Sequence, residues 1–206
     1  MRRYSVDFNG FDQPGRTAAG DTRSVKVMIA GGFGTGKTTM VRSVSDIKPL
    51  TTEETLTQAS ADVDRLIGVA DKTQTTVSLD FGKISLNESL VLYLFGTPGQ
   101  ERFWFLWNGL FKGALGAIVL VDTRRLASSF RAIEEMERLD VPFVIALNVF
   151  PDSREHPVEE IRDALDISPH TPVVAFDARD RAASRDVLMA LIRHLKERSV
   201  VAVESR

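Results

Sequence analysis

The chain has no cysteine among its 206 residues. Disulfides, thiol nucleophiles and cysteine-ligated metals are excluded, and the absence fits a reducing compartment. Histidine is scarce: His156, His170 and His194 are scattered, and none stands at metal-ligand spacing. There is no basic excess either. The formal net charge is -2, which argues against a broad nucleic-acid surface, because phosphate backbones demand clustered positive charge. The longest apolar run, interrupted only by glycine, covers residues 114–121 and is far too short to span a bilayer. The first residues carry two arginines with no apolar region behind them, so no signal peptide is expected. A cytoplasmic protein is the resulting expectation, with peripheral membrane contact through a partner left open. What is present is ordinary for a globular chain. Hydrophobic residues at 43% and charged residues at 26% predict one domain with enough apolar side chain for a core.

Residues 1–23 are polar, contain glycine and show no period, and are expected to form a flexible N-terminal tail. Val25 to Ala30 is a β-branched run too short for a helix, which predicts a buried parallel strand. Lys37 to Ile47 can form a helix, stopped near Pro49. Residues 49–75, rich in Thr, Glu, Asp and Ala, read as a long connection, part helix and part mobile loop. Thr76 to Ser85 alternates on Val77, Leu79 and Phe81, and Leu90 to Phe95 follows a turn at Asn87-Glu88, so the pair reads as an antiparallel hairpin. Strands at 117–121, 142–147 and 173–176 then alternate with helices carrying Phe130, Ile133 and Met136, then Pro157 with Glu159 and Glu160, and last Val187, Leu188, Leu191, Ile192 and Leu195. This order predicts a three-layer α/β domain over 24–198, built on a mainly parallel six-stranded sheet with one antiparallel strand. Residues 199–206 are expected to be a C-terminal tail.

Gly31-Gly32-Phe33-Gly34-Thr35-Gly36-Lys37-Thr38 fits the pattern G-x-x-x-x-G-K-[ST] at every fixed position. Glycines let the backbone curl so that its N–H groups point at phosphate oxygens, and the following helix adds its positive end. Lys37 is expected to reach the β- and γ-phosphates and the Thr38 hydroxyl to ligate Mg²⁺, with Thr39 next to them. A glycine-rich turn without a ligand is the plain alternative. The strand before and the helix after weigh against it. Asp122, at the end of an apolar strand, is a candidate Mg²⁺-linked acid of a generic phosphate-loop ATPase.

A second reading accounts for more residues. Thr76-Val77-Ser78-Leu79-Asp80-Phe81 resembles the switch-one threonine and following strand of Rab-type GTPases, and Gly99-Gln100-Glu101-Arg102-Phe103 resembles switch two. With GGFGTGKTTM, YLFGTPGQERFWFLW and VIALNVF, the chain over about 24–198 is similar to bacterial Ras-like small GTPases. Among these it resembles the conservon (CvnD-type) GTPases of filamentous bacteria, related to the MglA polarity type. The resemblance implies a P-loop NTPase fold of the Ras-like G-domain kind and a GTP/GDP switch with Mg²⁺ on Thr38 and Thr76, with a nucleotide-binding scaffold of little or no hydrolysis as the alternative. Gly99 would donate its N–H to the γ-phosphate, and Gln100 would orient the attacking water, assisted by Lys37. It also implies a small roadblock-fold regulatory partner and a sensor-kinase-like protein.

The chain departs from that pattern in four places. Gly96 stands where an aspartate normally helps hold Mg²⁺, which predicts weaker Mg²⁺ binding, since the ion readily keeps several waters. Phe33 replaces a small residue beside the γ-phosphate, which predicts slow unassisted hydrolysis unless the ring folds outward. In the guanine signature [NT]-K-x-D, Asn148 fits, but Val149 replaces lysine and Pro151 replaces aspartate. Asp177-Ala178-Arg179 occupies the usual Ser-Ala-Lys base loop, so Ala178 could offer its N–H to guanine O6, and Asp152 or Asp177 could supply an acceptor. Arg65 and Arg102 are candidates for an arginine acting in cis on γ-phosphate charge, each a weak one alone.

Phe103-Trp104-Phe105-Leu106-Trp107 holds both tryptophans, with Phe111 near, and one helix cannot turn all of these to a single core. The segment is a candidate interface, set against the alternative of a helix packed inside.

Overall fold

The computed structural model describes residues 22–57 and 74–204. The expected tail, except its last two residues, and Arg65 lie outside the described residues. β1 (Arg23–Gly31), β2 (Leu50–Thr57), β3 (Gln74–Asn87), β4 (Leu90–Gly96), β5 (Gly116–Val121), β6 (Phe143–Asn148) and β7 (Val173–Phe176) form one sheet in the order β2-β3-β4-β1-β5-β6-β7. β3 is antiparallel to both of its neighbours, and the pairs β4-β1, β1-β5, β5-β6 and β6-β7 are parallel. The antiparallel hairpin and the parallel remainder match the sequence pattern.

The strand number does not. The sheet has seven strands rather than six, because Leu50–Thr57 pairs with β3 from Leu50↔Phe81 to Thr57↔Gln74. The segment LTTEETLT alternates polar residues with few apolar ones, as suits the sheet edge it occupies. Such a composition has no apolar period to announce a strand.

Strand alternation builds two cores. On one face Val27, Ile29, Ile118, Leu120, Val144 and Ala146 pack against α1 (Lys37–Val44) and α5 (Arg181–Glu204). On the other, Met28, Ala30, Val119 and Ile145 pack against α2 (Trp107–Leu110), α3 (Ala127–Arg138) and α4 (Val158–Ala164). Both faces are buried, so the central strands are continuously apolar. α1 ends at Val44, earlier than Ile47, where Arg181 of α5 donates to the carbonyls of Ser43 and Ser45 and pairs with Asp46 at 2.7 Å. Satisfied terminal carbonyls make that a stable stop. α5 runs to Glu204, beyond the expected boundary at 198.

The aromatic segment after β4 is mostly an inward element. Phe103, Trp107 and Phe111 are buried, Trp107 completely, and the rings of Trp104, Trp107 and Phe111 meet pairwise in tilted contacts. Phe105 is the residue turned out, at 59% exposure. A 3₁₀ turn over Glu101–Leu106 followed by a short α-helix lets neighbouring aromatics diverge this way. Trp107→Ala is expected to cost about 3–5 kcal/mol in urea unfolding, and Phe105→Ala under about 0.5 kcal/mol. Similar costs for the two would place Phe105 in the core.

Candidate nucleotide site

β1 lies where the strand order reverses, with β4 on one side and β5 on the other. In open α/β sheets the crevice beyond such a point is where ligands bind. The chain leaves β1 through the glycine-rich loop and enters α1 at Lys37. Gly36 has φ +101°, and a Cβ there would come within 2.4 Å of Asn148 Nδ2. The glycine is thus required twice, for its left-handed backbone and for the closeness of β6. The Thr35 hydroxyl donates back to the Gly32 carbonyl at 3.0 Å and holds the curl.

Lys37 is buried, and its Nζ donates to the carbonyls of Gly31 at 2.9 Å and Gly32 at 2.6 Å. Desolvation lowers its pKa to about 8, with the nearby Asp80 charge opposing the shift. The ammonium is therefore folded back on its own loop. A cavity of about 400 Å³ opens beside it, lined by Phe33, Thr38, Thr39, Asp80, Thr97 and Gln100 among others. Phe33 is 67% exposed at this mouth, with its ring turned outward. Gly31, Gly34 and Gly36 carry the positive φ angles of the loop.

The segment after β4 lies on the phosphate loop. A Cβ on Gly99 would stand 2.6 Å from Lys37 Nζ and 3.0 Å from both the Gly32 carbonyl oxygen and Phe33 Cα. Gln100 is exposed at the cavity edge. Thr97 is buried, and its Oγ1 has no hydrogen-bond partner.

Asp80 is a candidate site residue that sequence reasoning missed. It pairs across the sheet with Gly96, the position where the aspartate is lacking. Its Oδ2 accepts from the Thr38 hydroxyl at 2.5 Å and its Oδ1 from Thr51 at 3.2 Å. A Cβ on Gly96 would lie 3.1 Å from Asp80 Cβ and 3.2 Å from Oδ2. The carboxylate fills the space a side chain at 96 would need. A strand aspartate is unusual enough to have been a signal. The Thr76 side chain lies outside the described residues, as does that of Arg102. The Thr76 backbone pairs with Thr55. It is four positions from Asp80, about 13 Å along the strand at ordinary rise. Among the described side chains of β3, Asp80 is the one that meets Thr38.

A second cavity, of about 150 Å³, adjoins the loop and is lined by Gly36, Asn148, Val149, Phe150, Asp177 and Arg179 among others. Asn148, buried at the end of β6, donates to the Thr35 carbonyl and accepts from the Ala178 N–H, both at 3.0 Å. It ties the phosphate loop to the segment after β7. Ala178 N–H, expected for guanine O6, is directed at Asn148 here. Asp177 and Arg179 form a bidentate pair at 2.6–3.1 Å.

Asp122 lines neither cavity. It is completely buried, and its oxygens accept from the Arg124 backbone and guanidinium and from Arg125, which hold its pKa below the usual range. Arg125 also reaches the Phe33 carbonyl at 3.3 Å. This acid is tied to the phosphate loop through Arg125.

A family model described as "conserved hypothetical ATP binding protein" matches residues 29–198. The chain belongs to that family. Its fold is that of a P-loop G domain. The G domain of FeoB from Methanococcus jannaschii superposes with a TM-score of 0.58 at 13% identity, over 85% of this chain and 99% of that one. The cytosolic domain of the T. maritima FeoB iron transporter gives 0.59 at 16% identity, over 84% of this chain and 64% of that one. Among sequence relatives, Ras-related protein Rab-11C of Dictyostelium discoideum is 29% identical over 44% of this chain and 45% of its own length. The uncharacterized protein MJ1339 of Methanocaldococcus jannaschii is 26% identical over 60% of this chain and 69% of its own. No helix among the described residues is long and apolar enough to cross a membrane.

Proposed function

We propose that the chain is a small nucleotide-operated switch that binds GTP and GDP with Mg²⁺ and hydrolyses GTP slowly. The observation that carries this reading is the contact of Gly99 with the phosphate loop and Lys37. A γ-phosphate entering beside Lys37 must lift the segment from Thr97 to Gln100, and its N–H groups can then hold the lifted position. Occupancy thereby becomes shape, which is what a switch requires.

Thr38 and Asp80 fit Mg²⁺. Both offer hard oxygen donors, they already touch, and the unpartnered Thr97 hydroxyl can hold a metal-bound water. Bound there, the ion would neutralise charge on the phosphates. Lys37, released from the Gly31 and Gly32 carbonyls, would take the β- and γ-phosphate oxygens. Gln100 would orient the attacking water, which displaces GDP from the γ-phosphoryl group and yields inorganic phosphate. Gln100 is exposed and Phe33 stands at the same mouth, so the water site is not assembled without help. Slow turnover follows, raised by a partner. The resemblance to conservon and MglA-type GTPases names that partner as a roadblock-fold protein, with a sensor-kinase-like protein upstream and membrane contact through either.

Calorimetry of GTP, GDP and ATP on nucleotide-free chain, with and without Mg²⁺, tests this. Micromolar or tighter GTP and GDP with weaker ATP is expected. ATP preference would favour the family description, although Asp122 is not placed to serve it.

A further inference from the structure

Guanine presents two adjacent donors, N1–H and the 2-amino group, and a site that selects it must offer a paired acceptor. Pro151 cannot. Two carboxylates lie close enough in sequence to replace it, and the structure separates them.

Asp152 is 70% exposed and lines neither cavity. Arg124 Nη1 grips it at 2.5 Å. The same guanidinium is fixed from behind by fully buried Asp122 and lies 3.8 Å over the Phe150 ring. Three contacts on one planar cation hold Asp152 outside the base cavity.

Asp177 is the carboxylate that lines this cavity, together with Val149 and Ala178. Its backbone neighbour is fastened, since the Ala178 N–H is bonded to Asn148 and Asn148 to the loop. Arg179 keeps Asp177 ionised, holding its carboxyl below the usual range. The guanidinium of that arginine is 64% exposed, so it can swing to solvent when better-buried donors arrive, while the Arg179 backbone N–H stays on Asp177 Oδ1 at 2.8 Å and orients the carboxylate. Val149, where a lysine is usual, leaves an apolar wall for a flat base.

We infer that Asp177 is the base-reading carboxylate of this site, selecting guanine by accepting both N1–H and the 2-amino group in place of the acid lost at Pro151. The inference rests on the nucleotide-switch reading and assigns its base specificity to the loop after β7.

The test compares GDP, xanthosine diphosphate and ADP binding to the full chain and to Asp177→Asn, Asp177→Ser and Asp152→Asn. The wild type should prefer GDP. Asp177→Asn should lose GDP affinity roughly 10- to 100-fold, the worth of one bidentate base contact. It should also gain the xanthine nucleotide, because the amide N–H can donate to the 2-oxo group. Asp177→Ser, small enough to fold if the amide variant does not, should lose GDP without that gain. Asp152→Asn should leave the preference unchanged. A preference that follows Asp152, or one unmoved by either Asp177 variant, overturns the inference alone. Wild-type chain that binds no nucleotide overturns it together with the switch reading.

Discussion

Lys37→Ala is expected to lower triphosphate affinity roughly 100-fold or more, since it removes a charge-assisted donor from a desolvated site. The loss should be measured by calorimetry, with the fold checked by circular dichroism. The pH dependence is the sharper part. In the nucleotide-free chain, burial holds Lys37 to a pKa of about 8. Phosphate oxygens beside the ammonium must raise that value, because they favour the charged form. Binding therefore takes up a proton once the pH exceeds about 8, and affinity should fall up to tenfold for each pH unit above it. Below about pH 8 the lysine is already charged and this dependence vanishes.

The stability of the nucleotide-free fold runs the other way. The folded-state pKa of Lys37, about 8, lies below the ordinary lysine value of 10.5. Between these values the unfolded chain binds more protons, so stability should rise with pH across that window. Affinity and stability with opposite slopes over the same range would identify one buried lysine as their common source. In Lys37→Ala both slopes should flatten. If the affinity slope survives in that variant, the titrating group is elsewhere.

The parts legible from sequence were those fixed by local chemistry. The phosphate loop is one contiguous pattern, and its spacing is dictated by the phosphate itself, so Gly31 to Thr38 could be read directly. The central strands were legible because burial on both faces leaves no polar positions. β2 was not, because an edge strand of threonine and glutamate carries no apolar period. The aromatic segment was misleading for a related reason. A helical wheel assumes one period, and the 3₁₀-to-α change near Trp107 breaks it, burying Phe103 and Trp107 while leaving Phe105 outside. Asp80 was hidden by distance along the chain. It acts on Thr38 across 42 positions, and nothing in a linear pattern pairs it with Gly96. Asp122 had the opposite fault: its place at a strand end suggested chemistry, but Arg124 and Arg125 consume its oxygens.

Gly96 and Asp80 together make the strongest prediction about the metal. Asp80→Ala is expected to remove most of the Mg²⁺ dependence of GDP binding, a loss of roughly 10- to 100-fold measured in the presence of Mg²⁺ and little change in its absence. Gly96→Asp alone should not improve the site. Its Cβ would meet Asp80 at 3.1 Å, and the two carboxylates would share one space. Like charges that close resist joint ionisation, so the single variant should fold less stably and bind Mg²⁺ no better. Asp80→Ala combined with Gly96→Asp removes the conflict and returns one carboxylate to the neighbourhood of Thr38. The pair should then recover the Mg²⁺-dependent GDP affinity lost in Asp80→Ala. Such a sign in a double-mutant cycle requires direct competition for one position. Additive losses, or Mg²⁺ dependence left intact in Asp80→Ala, would mean that Asp80 only braces the Thr38 and Thr51 hydroxyls and that the ion relies on Thr38, phosphate and water.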